Sequence, residues 1–216
     1  MQSLDQNKGA DKSGEADKKL QLSRAFSFWF SYAPNKTKLR REDYESEIKM
    51  LGSFSTVEDF WSYYQHMIRP DKLPVGCKFA LFQEGIKPVW EDKENQGGGS
   101  FILRVKKNYA NKFWEDLLIS YIGEQCDEND DICVLNLGVK ANEINISIWT
   151  RALDEESREI IDEWIRKTLG FNDKIEIEYR HHPKGTEEPH QQHKPHHKRI
   201  ERNDEYRKRN EGEGKN

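Results

Sequence analysis

The sequence predicts an α+β fold, an antiparallel β-sheet with helices packed on one of its faces. Two observations support this class. Strand patterns with one apolar and one mixed face recur along the chain, and three amphipathic helix patterns interrupt them. A sheet of this kind buries its apolar face under helices and leaves the other face partly open to solvent.

Six strands are predicted from period-two alternation of apolar side chains. They cover residues 25–32, 78–83, 100–106, 132–140, 143–150 and 174–179. In the fifth strand, Asn145, Ser147 and Trp149 share the face opposite to three isoleucines. Trp149 is therefore expected on the mixed face of the sheet, away from the main core.

The first two helices are predicted from apolar residues at helical spacing. A capping box, in which Ser55 and Glu58 bond each other's backbone N–H groups, opens the first helix. Spacing alone assigns its apolar residues to the core: Val57, Phe60, Trp61 and Tyr64. The second helix, near residues 108–122, carries a five-residue stripe on one face: Trp114, Leu117, Leu118, Tyr121 and Ile122.

The third helix is predicted to begin at Asp154, as N-cap, and to end at Gly170. Its apolar side chains are expected to point inward: Ile160, Ile161, Trp164 and Ile165. Residues 158–163 faintly resemble the helix of a Nudix hydrolase, whose chemistry needs several carboxylates on one face to hold a metal. The upstream glutamate and glycine of that motif are missing, so a core-packing helix is favoured and no enzyme activity is predicted.

Composition separates a central domain, residues 22–182, from polar tails at residues 1–21 and 183–216. Such tails cannot bury enough apolar surface to offset chain entropy, so both are predicted to be disordered. Histidines crowd the start of the second tail at irregular spacing: His181, His182, His190, His193, His196 and His197. Disorder is the expected state of this segment and divalent metal binding the alternative; no metal or cofactor is predicted.

The net charge of −4 gives no global sign of nucleic-acid binding, so an anionic ligand would need a few placed cations. No signal-peptide pattern and no apolar run long enough to span a membrane is present. Cys77, Cys126 and Cys133 are odd in number and lack metal spacing. They indicate reduced thiols in the cytosol or nucleus.

Trp90 and Glu91 are the clearest indication of a ligand. They lie in a charged, glycine-rich loop, where the chain is least able to bury an indole. An exposed indole stacks on a nucleobase with about 1–3 kcal/mol and attracts a cation over its face. A carboxylate only accepts hydrogen bonds, so Glu91 selects a ring edge with two adjacent donors, as guanine has. N7-methylguanine, a cationic guanine, meets these requirements; a purely structural Trp-Glu pair is the alternative.

Four segments in order carry a resemblance to a known family. They read FSTVEDFW (54–61), LFQEGIKPVWED (81–92), FW (113–114) with IGE (122–124), and ISIWT (146–150). Over about residues 22–182 they closely resemble the eukaryotic translation initiation factor 4E family of mRNA cap-binding proteins. The resemblance implies a curved antiparallel sheet with three helices on its convex face, and a cap held on the concave face between two aromatic rings.

The resemblance also implies a role for each site residue. Trp90 and Tyr44 match the two stacking rings, Glu91 the carboxylate that reads guanine, Trp149 the residue that contacts the N7-methyl group, and Lys140 a phosphate contact. The alternatives are a loop anchor for Tyr44 and a core residue for Trp149. Because the main class has tryptophan in place of Tyr44, the chain resembles the second class, the 4E-homologous-protein type, whose members bind caps more weakly and often repress translation.

The phosphate contacts depart from the family pattern. The family usually has arginine at the position of Lys140, and lysine lacks the bidentate fork of arginine. Asn142, Asn145 and Ser100 stand where the main class is often basic. We therefore expect weaker cap binding with a shallow salt dependence. The loop before Tyr44 holds four further cations: Lys36, Lys38, Arg40 and Arg41. They either compensate for the missing phosphate contacts or form a solvated basic loop, and the solvated loop is the favoured interpretation.

A second surface is implied on the convex side. There the resemblance exposes Trp61 to a partner helix with a Tyr-x4-Leu-hydrophobic motif, in a scaffold initiation factor or a repressor. Val57, Ile119 and Gly123 match other positions of this platform, which suits helix-in-groove recognition. Glu115 replaces a leucine of the main class and leaves room for a different partner.

The function predicted from these features is cytoplasmic regulation of translation initiation by a monomer that binds the 7-methylguanosine triphosphate cap of mRNA. The alternative is a partner-binding repressor or scaffold with weak or lost cap affinity, since few cations face the phosphates.

Overall fold

The computed structural model describes residues 18–33, 48–86, 97–126, 131–172 and 175–182. Within these ranges the chain forms seven strands, three α-helices and one short 3-10 turn, Pro70–Lys72. The strands are β1 Gln21–Tyr32, β2 Ile48–Thr56, β3 Cys77–Gln83, β4 Gly99–Val105, β5 Ile132–Val139, β6 Ile144–Thr150 and β7 Glu178–His181. The helices are α1 Val57–Tyr64, α2 Lys107–Ile122 and α3 Glu155–Leu169.

The strands form one curved antiparallel sheet in the order β2-β1-β3-β5-β6-β4-β7. The three helices pack on its convex face, as the predicted fold class requires. A hairpin joins β5 to β6, with Gly138 opposite Asn145 and Val139 opposite Ile144. Because side chains alternate along a strand, this register decides which residues face the helices and which face the open side.

The main core lies between the sheet and the helices. The whole predicted stripe of α2 is buried there, against strand residues such as Phe28, Leu135 and Ile146. Two hydrogen bonds from large rings join the layers. Trp164 Nε1 of α3 donates to Ser120 Oγ of α2 at 2.8 Å, and Tyr121 Oη donates to the carbonyl of Ile132 at 2.5 Å.

The predicted capping box of α1 is wrong by one residue. Thr56, rather than Ser55, is the N-cap, and its Oγ1 accepts from the backbone N–H of Asp59 at 3.1 Å. Thr56 is buried whereas Ser55 is exposed, so only Thr56 is placed to face the helix end. Glu58 instead accepts the backbone N–H of Leu20 at 3.0 Å, which ties the start of the described chain to α1.

The predicted ends of α3 are confirmed. Asp154 Oδ1 accepts from Ser157 N at 2.8 Å, and this hydrogen bond holds the pKa of the Asp154 carboxyl below its usual value. Gly170 ends the helix in the left-handed conformation, with φ 66°. Ile160, however, is 47% exposed, so its predicted inward orientation is wrong; Ile161, on the neighbouring face position, is the buried residue.

Three strands differ from the prediction. β1 begins at Gln21, four residues before its predicted start. β2 was not predicted, because its exposed Met50 and Leu51 break the alternation at the edge of the sheet. The last strand begins at Glu178 rather than at residue 174. Arg166 of α3 donates to the carbonyl of Ile175 at 2.9 Å, which holds that part of the chain against the helix end before pairing with β4 starts.

Both predicted tails lie largely outside the described residues, and their disorder stays a prediction. Residues 18–20 are described, and Lys19 pairs with Asp59 of α1 at 2.6 Å. In the described ranges, no helix is long and apolar enough to cross a membrane.

Candidate functional site

The open face of the sheet is ordered in three cross-strand rows, each with one residue from β3, β5, β6 and β4. The aromatic row is Phe82, Val134, Trp149 and Ser100. The middle row is Ala80, Asn136, Ser147 and Ile102. The cationic row is Lys78, Gly138, Asn145 and Arg104. Same-face neighbours on a strand are about 6.6 Å apart, so the cationic row lies about 13 Å from the aromatic row.

Trp149 lies on this open face, as its strand pattern predicts. It is half-buried and packs edge-on against Phe82, with ring centroids 6.5 Å apart. The His182 ring also packs edge-on against Trp149, at a centroid distance of 5.2 Å. Trp29 of β1 also packs edge-on against Phe82, at 6.4 Å. The two indoles therefore border one aromatic area that is separate from the main core.

A shallow depression, open to solvent, lies between these indoles. It is lined by aromatic and small side chains from the first two rows, by Ile48 at the start of β2, and by Lys78. Inside it, apolar ring faces and a cationic side chain occur together. This combination suits a ligand with a planar apolar part and an anionic part.

Two buried polar atoms on the open face lack a hydrogen-bond partner within the described ranges: Trp29 Nε1 and Asn145 Oδ1. A buried polar atom without a partner costs about 1–3 kcal/mol. Native structures usually satisfy such atoms with protein, water or ligand. Both atoms therefore indicate a surface that receives further polar groups.

Gly98 fixes the end of the loop that holds Trp90 and Glu91. A Cβ at this position would lie 1.9 Å from the carbonyl oxygen of Thr150, so only glycine allows the backbone to approach β6 this closely. The next residues pair with the end of β6, and Ser100 lies opposite Trp149. The glycine run thus brings the end of the predicted ligand loop next to Trp149.

Lys140 is not brought beside Trp149. It is exposed in the turn after β5, where its backbone N–H donates to the carbonyl of Glu143 at 2.9 Å. Val134 is the residue opposite Trp149, and six residues of extended chain separate it from Lys140, a length of about 20 Å. Asn142 is exposed in the same turn.

Lys78 lines the depression, although the sequence analysis did not select it. It lies opposite Gly138, and a Cβ placed on that glycine would be 3.9 Å from Lys78 Cγ, so the lysine stem lies beside the space that a side chain would occupy. The alternation of Phe79 and Leu81 toward the core was the signal that places Lys78 on the open face.

Two arginines on the open face pair with one carboxylate. Glu178 of β7 pairs with Arg180 at 2.5 Å and with Arg104 at 2.8 Å. The hydrogen bond from Arg180, followed by the charges of both arginines, holds the pKa of Glu178 below its usual value. Glu178 therefore stays ionised at neutral pH and occupies both guanidinium groups.

Tyr44, Trp90 and Glu91 lie outside the described residues, as do Lys36, Lys38, Arg40 and Arg41. Their predicted roles stay predictions.

The predicted partner surface does expose its aromatic residue. Trp61 is 40% and Ile119 38% exposed, against the spacing argument that assigned Trp61 to the core. Phe60 and Tyr64 fill the inward positions of α1 and contact the edges of the Trp61 ring. Val57 is half-buried at the start of the helix, while Gly123 is exposed at the end of α2.

Arg69 connects the two helices of this surface. Its guanidinium lies 4.4 Å from the Tyr64 ring centroid and pairs with Glu115 of α2 at 3.3 Å. Glu115 lies one turn before Ile119 on the same helix face. Trp61, Tyr64, Arg69, Glu115 and Ile119 thus follow one another in a continuous strip, which we call the convex strip.

Comparison with known proteins shows the family to which this fold belongs. The family model for eukaryotic initiation factor 4E matches residues 21–197. The eukaryotic translation initiation factor NCBP of Oryza sativa subsp. japonica is 40% identical over 162 residues, covering 74% of this chain and 70% of the rice protein. The chain belongs to the eukaryotic initiation factor 4E family.

Solved structures of family members match as well. One is C. elegans eIF4E-3 in complex with the 4E-binding protein Mextli and a cap analog, with TM-score 0.70, 32% identity, and coverage of 76% of this chain and 93% of that one. Another is Ascaris suum eIF4E-3 with the m7G cap, with TM-score 0.70, 31% identity, and coverage of 80% and 96%.

Proposed function

We propose that this protein binds the 7-methylguanosine cap of mRNA on the open face of its sheet and acts in translation initiation in the cytoplasm, without catalysing a reaction. The observation that carries the proposal is the depression beside Trp149 on the open face of a chain that belongs to the initiation factor 4E family. Related proteins solved with a cap analog and with the m7G cap support it.

In this proposal Tyr44 and Trp90 stack on the methylated base, Glu91 accepts its two N–H donors, and Trp149 covers the N7-methyl group. Chain length supports the assignment. Tyr44 is four residues from Ile48, which lines the depression, and four residues span at most about 14 Å. Tyrosine in place of tryptophan at position 44 supports membership of the second class of the family.

A protein partner occupies the convex strip in the same proposal. A helix with a Tyr-x4-Leu-hydrophobic motif would place its apolar side chains against Trp61 and Ile119, which are exposed next to Val57 and Gly123. The related C. elegans structure with the 4E-binding protein Mextli supports a protein partner.

Tryptophan fluorescence tests cap recognition. We expect m7GTP to quench the emission of the full chain and to bind at least several-fold more tightly than GTP, since a cation over an indole contributes about 0.5–2 kcal/mol. Glu91→Ala should weaken m7GTP binding about 10- to 100-fold, because a hydrogen-bonded charge contributes about 1.5–3 kcal/mol. Its melting temperature should stay that of the wild type.

Asp116→Ala is the matched control, since it removes a carboxylate on α2, on the opposite side of the sheet, and should bind m7GTP normally. Equal, negligible quenching by m7GTP and GTP would contradict cap recognition and favour a partner-binding scaffold. Wild-type affinity in Glu91→Ala would contradict the role of Glu91 alone.

A further inference from the structure

We propose that Lys78, rather than Lys140, supplies the cationic contact to the phosphates of the bound nucleotide. The inference rests on the proposed function, because it concerns the phosphate end of the same ligand.

The first support is position on the sheet. Lys78 heads the cationic row and lines the same depression as Trp149. A nucleotide whose base lies at the aromatic row extends its ribose over the middle row, where Ala80 and Ser147 are small, and its phosphates toward the cationic row. The rows follow the chemical order of the ligand: planar base, sugar, anion.

The second support is the space beside Lys78. Gly138 lies directly opposite it on β5 and carries no side chain. On the other side of Gly138, the buried Oδ1 of Asn145 lacks a partner in the described part of the chain. The row therefore has a cation at one end, a gap over the glycine and an amide beyond it, which is a suitable cradle for phosphate oxygens or the water that bridges to them.

The third support is that Lys140 lies farther from the aromatic row than Lys78 does. Lys140 lies beyond the strand, about 20 Å along the chain from Val134 of the aromatic row, whereas Lys78 lies about 13 Å along the chain from Phe82 of that row. Lys78 is half-buried, so its interaction with a phosphate is screened less than that of the exposed Lys140.

The test measures the affinities of m7GTP and of the uncharged nucleoside 7-methylguanosine by calorimetry. Lys78→Gln should weaken m7GTP binding about tenfold or more while leaving 7-methylguanosine unchanged, because only the charged hydrogen bond to phosphate is lost. It should also lower the slope of log affinity against log salt by about one. Lys78→Arg should restore most of the loss, since it keeps the charge.

Lys140→Gln tests the competing assignment and should change m7GTP affinity less than Lys78→Gln does. Lys167→Gln, on the last turn of α3 and far from the sheet's open face, controls for a general change in net charge. A larger loss in Lys140→Gln than in Lys78→Gln would overturn the inference. Equal weakening of m7GTP and 7-methylguanosine by Lys78→Gln would overturn it too.

The failure of the two proposals is distinguishable. If the wild-type chain binds m7GTP no better than GTP, cap recognition fails and the assignment of Lys78 fails with it. If the wild type discriminates and only the Lys78 result is negative, cap recognition stands and Lys78 is excluded from the phosphate contact.

Discussion

Trp61 is the most exposed aromatic residue of the convex strip. Its ring is 40% exposed, although Phe60 and Tyr64 on the same helix are almost completely buried. The Phe60 ring lies edge-on at 5.0 Å and holds the indole in place without covering it. A rigid aromatic ring that is half open to solvent is the kind of side chain that anchors protein interfaces.

Replacing Trp61 should therefore remove partner binding and spare the ligand face. We expect Trp61→Ala to weaken binding of a peptide with a Tyr-x4-Leu-hydrophobic motif about 30-fold, which corresponds to about 2 kcal/mol for an interface anchor. Its affinity for m7GTP should stay unchanged, because the helix lies on the other side of the sheet. Fluorescence anisotropy of a labelled peptide measures the first effect.

Tyr109→Ala is the matched control, since it removes an aromatic ring that is 52% exposed at the start of α2, outside the convex strip. Peptide binding at wild-type strength in Trp61→Ala would show that the strip is not the partner surface.

At the residue scale, some predictions depended on pattern and others on resemblance. Trp149 was assigned to the open face by strand alternation alone, and the structure confirms that face. The exposure of Trp61 was not predicted by helical spacing, which assigned the residue to the core. Spacing identifies an apolar face about 100° wide but does not show which residues lie at the edge of that face. Lys78 was missed because a single lysine in a strand is a common solvent-facing residue until its register neighbour is known.

At the scale of elements, the start of α1 is joined both to its own cap and to the chain before β1. Thr56 Oγ1 donates to Asp59 Oδ2 at 2.8 Å and accepts the Asp59 backbone N–H. The backbone N–H of Val57 donates to the carbonyl of Leu20 at 2.9 Å. These bonds satisfy donors that a helix N-terminus would otherwise leave open.

The cap can be tested by two adjacent substitutions. Thr56→Ala should lower the free energy of unfolding by about 1 kcal/mol, the typical loss for an N-cap. Ser55→Ala should change it by less than about 0.5 kcal/mol, as for an exposed side chain without a special contact. Urea denaturation followed by circular dichroism measures both. A larger loss in Ser55→Ala would restore the capping box that the sequence suggested.

The elements were predictable where a long periodic pattern decides them. Strands β3 to β6 and helices α2 and α3 lie within about two residues of their predicted bounds, because each buries a continuous apolar stripe. β2 was not predictable in this way, because it lies at the edge of the sheet and is more exposed to solvent. Its glycine and the exposed Met50 also interrupt the alternation of apolar and polar residues. β7 starts late because Arg166 binds the preceding carbonyls, a tertiary contact that no local pattern reveals.

At the scale of the whole molecule, one sheet separates the two proposed binding surfaces. Its convex side is covered by helices that carry the convex strip, while its open side changes from aromatic to cationic over three rows. The layered α+β architecture followed from sequence patterns. The three rows of the open face could not be predicted from these patterns. They depend on the register between strands that are distant in the chain, such as the pairing of Lys78 with Gly138.

The central claim is that this open face holds a methylated guanine nucleotide in one orientation. A crystal structure of the full chain with m7GTP measures it most directly. We expect the base between Tyr44 and Trp90, its methyl group against Trp149, and a phosphate oxygen within hydrogen-bond distance of Lys78 Nζ. A base bound elsewhere, or rings of Tyr44 and Trp90 too far apart to enclose a purine, would contradict the account.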